Sequence, residues 1–342
     1  MKHLVVRAPN WVGDLVMATP ILEAALASTD WERVTILVRQ HLLGVLADGP
    51  WEGHVEGFQG KQEERAALKR LAPDALLLLT NSFGAAWRAR RAGVPIIAGA
   101  ALSSRRFLLT HSCVPPTRDG RREPIPTAHL LRDVAGLVGL TPADLHPRLG
   151  VQEALATEES ERLLHLGLAS DAGYVLCCPG AAFGAAKLWP PEHFARTLDA
   201  LHEMHGWRAV ITGGPGEEPL VRRVQSLCKH DALSLADEPR DLERLKPLVR
   251  SAQLVLVGDS GPRWYAAAFD VPCVTIMGPN FPELTATSLE VAEVVRLEGL
   301  ECAPCLQRVC PLGHHRCMTE LPPERALEAA DRVLAAGATL NA

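Results

Sequence analysis

The chain has 342 residues, too many for one ordinary hydrophobic core and enough for two domains of about 150 residues each. Hydrophobic residues make up 47% and charged residues 22% of the sequence, which excludes a disordered or fibrous chain. The formal net charge of −5 excludes a molecule that binds polyanions over its whole surface. The first apolar run is short and is followed by Asn, Gly and Asp, so we expect a cytoplasmic protein without a signal peptide or membrane span.

One segment departs from this average charge. Residues 84–122 contain eight arginines, no lysine and a single acidic residue. Charge alone leaves two interpretations open, a solvated surface and an anion-binding surface. Arginine without lysine favours recognition of phosphate or carboxylate groups, because the guanidinium binds either one through two parallel hydrogen bonds.

In the first half, short apolar runs alternate with longer helix-like segments. HLVVRA is followed by DLVMATPILEAALA, RVTILV, DALLLLT and VPIIAG, a spacing that predicts a parallel sheet with crossover helices. The alternation begins again at residues 174–178 and continues through 208–212, 230–236, 253–258 and 271–278. The sequence therefore predicts an α/β fold of two Rossmann-like parallel-sheet domains facing a central cleft, with ligands at the carboxyl ends of the strands.

Prolines and a loss of periodicity place the boundary between these domains near residues 141–152. We expect a first domain of residues 1–150 and a second of residues 151–321. Residues 322–342 begin with proline and carry an apolar face at helical spacing. This pattern predicts a capping helix, which we expect to join the first domain.

The first strand-to-helix junction of each predicted domain carries a charged residue. In RAPNWVGDLVMATP, Asp14 follows Gly13 at a helix start, where a carboxylate serves either as an N-cap or as a catalytic base. In CCPGAAFGAAKLWPPEHF, small residues from Gly180 onward precede Lys187, although the order is not that of a P-loop. Such a loop suits phosphate binding, and an exposed lysine without a ligand remains the alternative.

Two later junctions add groups suited to a nucleotide. TGGPGEEPLVRRV places Glu217 and Glu218 at a helix start, where they either complement the helix dipole or bind ribose hydroxyls. VGDSGPRWYAAAFD predicts a tight Asp-Ser-Gly turn at residues 259–261, whose N–H groups together with Lys187 predict a diphosphate site. The chain has no Asp-x-Asp motif for a metal, so backbone amides and the lysine would compensate the negative charge of the diphosphate.

Taken together, these segments resemble the ADP-heptose:lipopolysaccharide heptosyltransferases of glycosyltransferase family 9, most of all its heptosyltransferase II branch. The resemblance covers nearly the whole chain through PNWVGDLVMATPIL, TNSFGAAWRARRAGVPIIAG, PGAAFGAAKLWPPEHF, GDSGPRWYAAA and VTIMGP. It implies the two-domain GT-B fold and an inverting, metal-independent transfer of heptose from ADP-L-glycero-D-manno-heptose to the lipopolysaccharide inner core. The expected partners are the ADP-sugar and an anionic, lipid-linked oligosaccharide, with peripheral association with the inner membrane, no nucleic acid and no catalytic cofactor.

The resemblance also implies roles for individual residues. Asp14 would deprotonate the acceptor hydroxyl, and Lys187 would stabilise the departing diphosphate. The implied donor site consists of Gly180, Phe183, Glu217, Glu218, Asp259, Ser260, Gly261, Trp264, Met277 and Gly278. The implied acceptor site consists of Asn10, Gly13, Asn81, Ser82, Arg88, Arg105 and Arg106.

The chain departs from the family pattern at two positions. The family motif is similar to D-S-G-x-x-H, and Trp264 stands where the histidine belongs. The acid usual in the lysine loop is replaced by Ala182. An indole offers one N–H donor and an apolar plane, so Trp264 would stack on a base or sugar. The alternatives are a homologue that binds a nucleotide or glycan without transfer, or another nucleotide-sugar enzyme such as an epimerase, against which the arginine-rich segment argues.

A cysteine cluster lies near the end of the chain. LECAPCLQRVCPLGHHRCMTEL contains Cys302, Cys305, Cys310 and Cys317, with His314 and His315 in the last interval. These are ligand types for tetrahedral zinc, while two local disulfides, free thiols and an iron–sulfur cluster are the alternatives. A cytoplasmic chain disfavours disulfides, so the sequence predicts a structural zinc site. The other five cysteines should be reduced.

Overall fold

The computed structural model describes residues 2–118, 121–170, 172–239 and 241–340. The chain divides into two compact units. The first comprises Met1–Gly150 and Glu283–Thr287, and the second comprises Val151–Pro282 and Ser288–Ala342.

The first unit contains a six-stranded parallel sheet with helices between its strands. Its strands are β1 (His3–Arg7), β2 (Arg33–Arg39), β3 (Val55–Phe58), β4 (Ala75–Leu78), β5 (Ile96–Ala100) and β6 (His111–Cys113), in the order β3-β2-β1-β4-β5-β6. Its helices are α1 (Val12–Met17), α2 (Thr19–Ala27), α3 (Leu43–Leu46), α4 (Lys61–Leu71), α5 (Phe83–Ala92) and α6 (Thr127–Gly136). Strand β7 (Thr117–Arg118) pairs in antiparallel fashion with β8 (Arg121–Arg122). The central strands are buried throughout, as expected of a sheet covered on both faces.

The second unit repeats this architecture. Its strands are β9 (Tyr174–Cys178), β10 (Arg208–Ile211), β11 (Ala232–Ser234), β12 (Leu254–Gly258), β13 (Cys273–Ile276) and β14 (Ala292–Val295), in the order β11-β10-β9-β12-β13-β14. Its helices are α7 (Glu153–His165), α8 (Pro191–His205), α9 (Glu218–Leu227), α10 (Leu245–Arg250), α11 (Pro262–Ala268), α12 (Arg316–Thr319) and α13 (Pro323–Leu340). The predicted α/β fold with two Rossmann-like parallel sheets is confirmed.

The C-terminal helix belongs to the second unit, so the expectation that it joins the first domain is wrong. Helix α13 packs against α8, β13 and β14, and its buried residues include Ala329 and Val333. Trp189 contacts the segment just before this helix, where its indole N–H donates a hydrogen bond to the carbonyl of Leu321. An apolar helical face fits either sheet, and only the packing decides between them. Residues 341 and 342 of the predicted segment lie outside the described residues.

The strand order places two loops of each unit side by side. Across each sheet the strands follow the chain in one direction and then in the other, and the direction changes between β1 and β4 in the first sheet and between β9 and β12 in the second. The loops that follow β1 and β4 are therefore neighbours, as are the loops that follow β9 and β12. In open parallel sheets, ligands bind at such reversal points, beyond the carboxyl ends of the strands.

A buried ion triad connects β1, α4 and α5 in the first unit. Arg7 and Glu64 are each 1% exposed, and Arg7 Nε donates to Glu64 Oε1 at 2.9 Å. The second carboxylate oxygen accepts from Arg88 Nε at 2.7 Å. One buried carboxylate thus compensates two guanidinium groups.

Removing this carboxylate charge should strongly destabilise the protein. We expect Glu64→Gln to lower the free energy of unfolding by about 3–5 kcal/mol, because it leaves a buried arginine without its counter-charge. Urea denaturation followed by circular dichroism measures the change. Glu52→Gln, at an exposed position, is the control and should leave the midpoint almost unchanged. A Glu64→Gln midpoint equal to the wild-type value would refute the stabilising role of the triad.

Candidate functional site

The loop after β9 places a lysine beside an aspartate from the loop after β12. Residues 185–187 form a single 3₁₀ turn, at the end of which Lys187 Nζ lies 2.6 Å from Asp259 Oδ2. The ammonium also donates to the Asp259 carbonyl at 3.1 Å and lies 4.8 Å from the centre of the Phe183 ring. The two charged side chains are only 11% and 9% exposed. A positioned cation therefore lies at the reversal point of the second sheet.

A third residue completes this pair. Asn280, just after β13, donates from Nδ2 to Asp259 Oδ2 at 2.9 Å. The aspartate thus accepts from an amide and an ammonium at once, which fixes the orientation of its carboxylate. Asn280 is not among the residues predicted from the sequence, where its only signal is a polar residue shortly after a buried strand.

Glu217 lies directly against the glycine that opens the lysine loop. A Cβ atom at Gly180 would overlap with the Glu217 carboxylate, so any side chain at this position would displace that carboxylate. The carboxylate accepts from the backbone N–H of Gly214 at 2.7 Å. Glu218 instead accepts from Gly216 within its own turn, at 3.2 Å. Of the two predicted ribose ligands, Glu217 is therefore the one that the structure brings to the lysine loop.

The other predicted donor residues are half-buried or buried. Ser260 and Gly261 are half-buried in the turn before α11. Trp264 is only 4% exposed, and the Arg263 guanidinium carbon lies 4.1 Å from the centre of its ring. Met277 and Gly278 are buried. In this structure Trp264 packs inside the second unit and offers little of its ring to a ligand.

In the first unit, the loops after β1 and β4 are joined through Asn10. Its Oδ1 accepts from Arg7 at 2.7 Å and from Arg39 at 3.0 Å, and its Nδ2 donates to Thr80 Oγ1 at 2.9 Å. Asp14 follows Gly13 in the first turn of α1 and is half-buried. The N-cap of α1 is Trp11, so the interpretation of Asp14 as the N-cap is wrong.

The predicted acceptor arginines have different surroundings. Arg105 is fully buried and donates to the carbonyls of Ala100 at 3.0 Å and Ser82 at 3.2 Å, to that of Thr80, and to Asn81 Oδ1 at 3.2 Å. Burial lowers the pKa of the Arg105 guanidinium to about 10. Arg105 thus holds the turn that carries Asn81 and Ser82.

Of the three predicted acceptor arginines, Arg106 alone is exposed. Arg88 is engaged with Glu64 in the buried triad. Arg106 stands next to Phe107, which is 69% exposed, so this part of the surface combines a cation with an aromatic ring. Sequence alone cannot separate these three residues, because a buried and an exposed arginine look the same in a charge pattern.

The cysteines of the cluster are free thiols, as are the other five. Cys302, Cys305, Cys310 and Cys317 line one small cavity with His314 and His315. Within the described residues, no three Cys, His, Asp or Glu side chains are placed to hold a metal ion. The predicted zinc ligands therefore share a cavity without forming a coordination sphere, and the predicted alternative of two disulfides is not seen.

In the described part of the chain, no helix combines the length and the apolar character that crossing a bilayer requires.

Two doubly wound parallel sheets, each with a reversal of strand order, define a Rossmann-like class of α/β protein. Within that class, residues 64–316 match glycosyltransferase family 9 (heptosyltransferase), and the chain belongs to this family. The resemblance seen in the sequence is confirmed.

Curated relatives agree with this assignment. The chain is 31% identical over 159 residues to lipooligosaccharide heptosyltransferase 2 of Campylobacter jejuni, which is 46% of this chain and 49% of the relative. It thus spans about half the length of that relative. It is 26% identical over 359 residues to lipopolysaccharide heptosyltransferase 2 of Escherichia coli, covering 98% of this chain and 99% of the relative.

Solved structures share the fold. A glycosyltransferase family 9 structure from Veillonella parvula aligns with a TM-score of 0.79 and 20% identity, over 98% of this chain and 97% of that one. The structure of E. coli ADP-heptose lipopolysaccharide heptosyltransferase II aligns with a TM-score of 0.73 and 24% identity, over 98% and 99%.

Proposed function

We propose that this protein is an inverting heptosyltransferase that moves heptose from ADP-L-glycero-D-manno-heptose to the lipopolysaccharide inner core. The observation that carries the proposal is the Lys187 ammonium, held at the ends of β9 and β12 in a chain of this family. A buried cation at this point suits the diphosphate of a nucleotide sugar. Relatives named heptosyltransferase 2 support this choice of sugar and acceptor.

On the donor side, Lys187 contacts the diphosphate and compensates the charge that grows as the glycosidic bond breaks. Amides of Ser260 and Gly261 add donors to the same oxygens. Glu217 accepts from the ribose hydroxyls, because its carboxylate already lies against Gly180. In this proposal no catalytic metal takes part, since lysine and backbone amides supply the positive charge.

On the acceptor side, Asp14 takes the proton of the attacking hydroxyl. The acceptor oxygen forms a bond to the anomeric carbon as the bond to ADP breaks on the opposite face, so the configuration inverts. The exposed Arg106 contacts the anionic inner core, while Arg105 keeps the turn of Asn81 and Ser82 in place. We further propose a cytoplasmic enzyme that works peripherally at the inner membrane, where a lipid-linked acceptor is available.

One observation favours a second function, binding without transfer. Trp264 replaces the family histidine and is buried, and its indole has neither a titratable nitrogen nor a hydrogen-bond acceptor for the donor. Incubation of the protein with ADP-heptose and a Kdo-containing lipid acceptor, followed by mass spectrometry and measurement of released ADP, separates the two functions. We expect one added heptose per acceptor, in the presence of EDTA as well. ADP-heptose binding without product would support the second function, and transfer restored by Trp264→His would identify the cause.

A further inference from the structure

Helix α5 exposes two aromatic rings on the face that points away from its sheet. Phe83 and Trp87 are one helical turn apart and are 41% and 47% exposed. The opposite face carries Ala85, Ala86 and Ala89, which are buried. An exposed helix face normally carries polar side chains, so two large rings in consecutive turns indicate a contact surface.

A third ring joins them from the turn that follows β5. Phe107 lies in the 3₁₀ turn Arg106–Leu108, which packs against α5. Its ring is 69% exposed, and the ring centre lies 6.0 Å from that of Phe83. The three rings therefore form one exposed apolar area and are not scattered singly over the surface.

Arginines lie beside these rings. Arg90 and Arg91 are exposed in the last turn of α5, and the Arg91 guanidinium carbon lies 5.8 Å from the centre of the Trp87 ring. Arg106 is exposed next to Phe107, and residues 84–117 contain no acidic residue. Rings and guanidinium groups thus share one area without an acid of their own segment. We name it the aromatic–arginine surface, consisting of Phe83, Trp87, Arg90, Arg91, Arg106 and Phe107.

The neighbouring helix extends the positive charge. Helix α4 packs against α5, and its exposed charged residues are four bases and one acid. They are Lys61, Arg65, Lys69, Arg70 and Glu63. The part of the first unit around the three rings is therefore basic, although the whole chain has a net charge of −5.

Arg105 connects this surface to the turn that holds Asn81 and Ser82. Its guanidinium donates to the Ser82 carbonyl and to Asn81 Oδ1, both at 3.2 Å, and it directly precedes the 3₁₀ turn of Phe107. Ser82 is the N-cap of α5, where its hydroxyl accepts the backbone N–H of Ala85 at 3.3 Å. The aromatic–arginine surface therefore begins one residue after the proposed acceptor residues and is held to them by a buried side chain.

We infer that the aromatic–arginine surface docks on the anionic phospholipid surface of a bilayer. Charge complementarity selects this occupant, because lipid phosphates bind the guanidinium groups while the rings enter the layer between headgroups and acyl chains. A protein partner would have to supply an acidic patch and an apolar patch of matching shape, whereas a bilayer offers both at any point of its surface. Docking brings the turn of Asn81 and Ser82 to the membrane. Its effect on the lipid-linked acceptor rests on the proposed function, whereas lipid binding itself does not.

The first test measures binding of the full-length protein to vesicles that contain no acceptor. Vesicles of phosphatidylglycerol and phosphatidylethanolamine supply an anionic surface, and vesicles of phosphatidylcholine are the neutral comparison. In a cosedimentation assay we expect binding to the anionic vesicles to be at least roughly tenfold tighter and to weaken as salt is added. Equal binding to both kinds of vesicle, or binding to neither, would overturn the inference.

Replacing two of the rings tests the apolar part of the surface. Trp87→Ser combined with Phe107→Ser should weaken binding to anionic vesicles by about tenfold or more, because two exposed rings no longer leave water. Leu164→Ser combined with Met204→Ser, at positions that are each 52% exposed in the second unit, is the matched control and should bind like wild type. Circular dichroism verifies that both proteins are folded. Unchanged binding of the ring variant would contradict the inference.

Replacing two arginines tests the electrostatic part. Arg90→Gln combined with Arg91→Gln should weaken binding to anionic vesicles by about 25-fold, since each arginine near such a surface contributes roughly fivefold. Arg222→Gln combined with Arg223→Gln removes two exposed arginines from the second unit and should have little effect. The same loss in both variants would mean that net charge alone drives binding, and the assignment to this surface would fail.

Tryptophan fluorescence reports whether the surface itself meets the lipid. Phospholipids brominated on their acyl chains should quench the protein, and Trp87→Phe should keep vesicle binding while losing most of the quenching. Full quenching in Trp87→Phe would place another part of the molecule against the bilayer. A dimer in analytical ultracentrifugation that Trp87→Ser with Phe107→Ser dissociates would assign the surface to a second copy of the chain. Either result overturns the inference.

Heptose transfer measures the consequence for the acceptor. With the acceptor embedded in vesicles, the variant Trp87→Ser with Phe107→Ser should raise KM by about tenfold, and with a deacylated acceptor in solution its rate should stay within about twofold of wild type. An equal loss with both acceptors would place the rings in the acceptor site and overturn docking on lipid as their role. Vesicle binding without transfer to either acceptor would overturn the proposed function and leave the lipid-binding surface standing.

Discussion

Replacing Asp14 by asparagine should lower the rate of heptose transfer by about 10²–10⁴-fold, the range that a positioned general base contributes. Asparagine has the shape of aspartate and cannot accept a proton from the acceptor hydroxyl. Asp14 lies in the first turn of α1 and is not the N-cap, so the substitution should leave the helix intact. The loss should appear in kcat, because the proton moves in the transition state.

The measurement is ADP release under saturating donor and acceptor, with ADP affinity determined in parallel by calorimetry. We expect ADP affinity to stay within about twofold of wild type, since a lost proton acceptor does not alter ground-state binding. Asp30→Asn, at an exposed position in the same unit, is the control and should retain full activity. Full transfer activity in Asp14→Asn would assign the base to another residue.

Replacing Lys187 by alanine should weaken ADP binding by about 10–100-fold. A charge-assisted hydrogen bond contributes about 1.5–3 kcal/mol, and its loss acts directly on the diphosphate. The substitution also leaves Asp259 with Asn280 and without the ammonium, so its negative charge would repel the ligand. Lys229→Ala, at an exposed position in the same unit, should bind ADP like wild type.

A double-mutant cycle separates these two effects. If repulsion by Asp259 contributes, Lys187→Ala with Asp259→Asn should recover part of the affinity that Lys187→Ala alone has lost. The coupling energy is obtained by calorimetric titration of four proteins with ADP: the wild type, Lys187→Ala, Asp259→Asn and the double variant. If Lys187→Ala binds ADP with wild-type affinity, the lysine does not belong to the donor site. The proposed function would then lose its main support.

The α/β alternation was readable because most strands are short, buried apolar runs. YVLCC and LVLVG appear in the structure as β9 and β12 almost as predicted. The edge strands β3 and β14 were missed because VEGF and AEVV carry glutamate and are only partly buried, so they lack the apolar run on which the prediction relied. The direction in which α13 packs could not be predicted, since its apolar face does not identify the sheet that it covers.

The candidate site was predictable in position more than in detail. The junction after β9 and the Asp-Ser-Gly turn were singled out, but the pairing of Lys187 with Asp259 depends on strand order. Sequence spacing could not distinguish Glu217 from Glu218. The Glu217 carboxylate accepts a hydrogen bond from the N–H of Gly214, and the Glu218 carboxylate accepts one from the N–H of Gly216. Burial of Arg105 was equally invisible, because its partners are mostly backbone carbonyls.

The reversal of strand order has a consequence for chimeras between members of the family. In the first unit, Asn10 ties the loop after β1 to Thr80, and in the second Lys187 ties the loop after β9 to Asp259. A chimera that exchanges only one loop of such a pair would leave the amide or the charged side chain of the other loop beside a residue from a different family member. Donor preference should therefore be transplantable only when the segments around residues 179–190 and 259–264 are moved together. Recombination with breakpoints inside the strands, where the buried backbone is interchangeable, meets this condition.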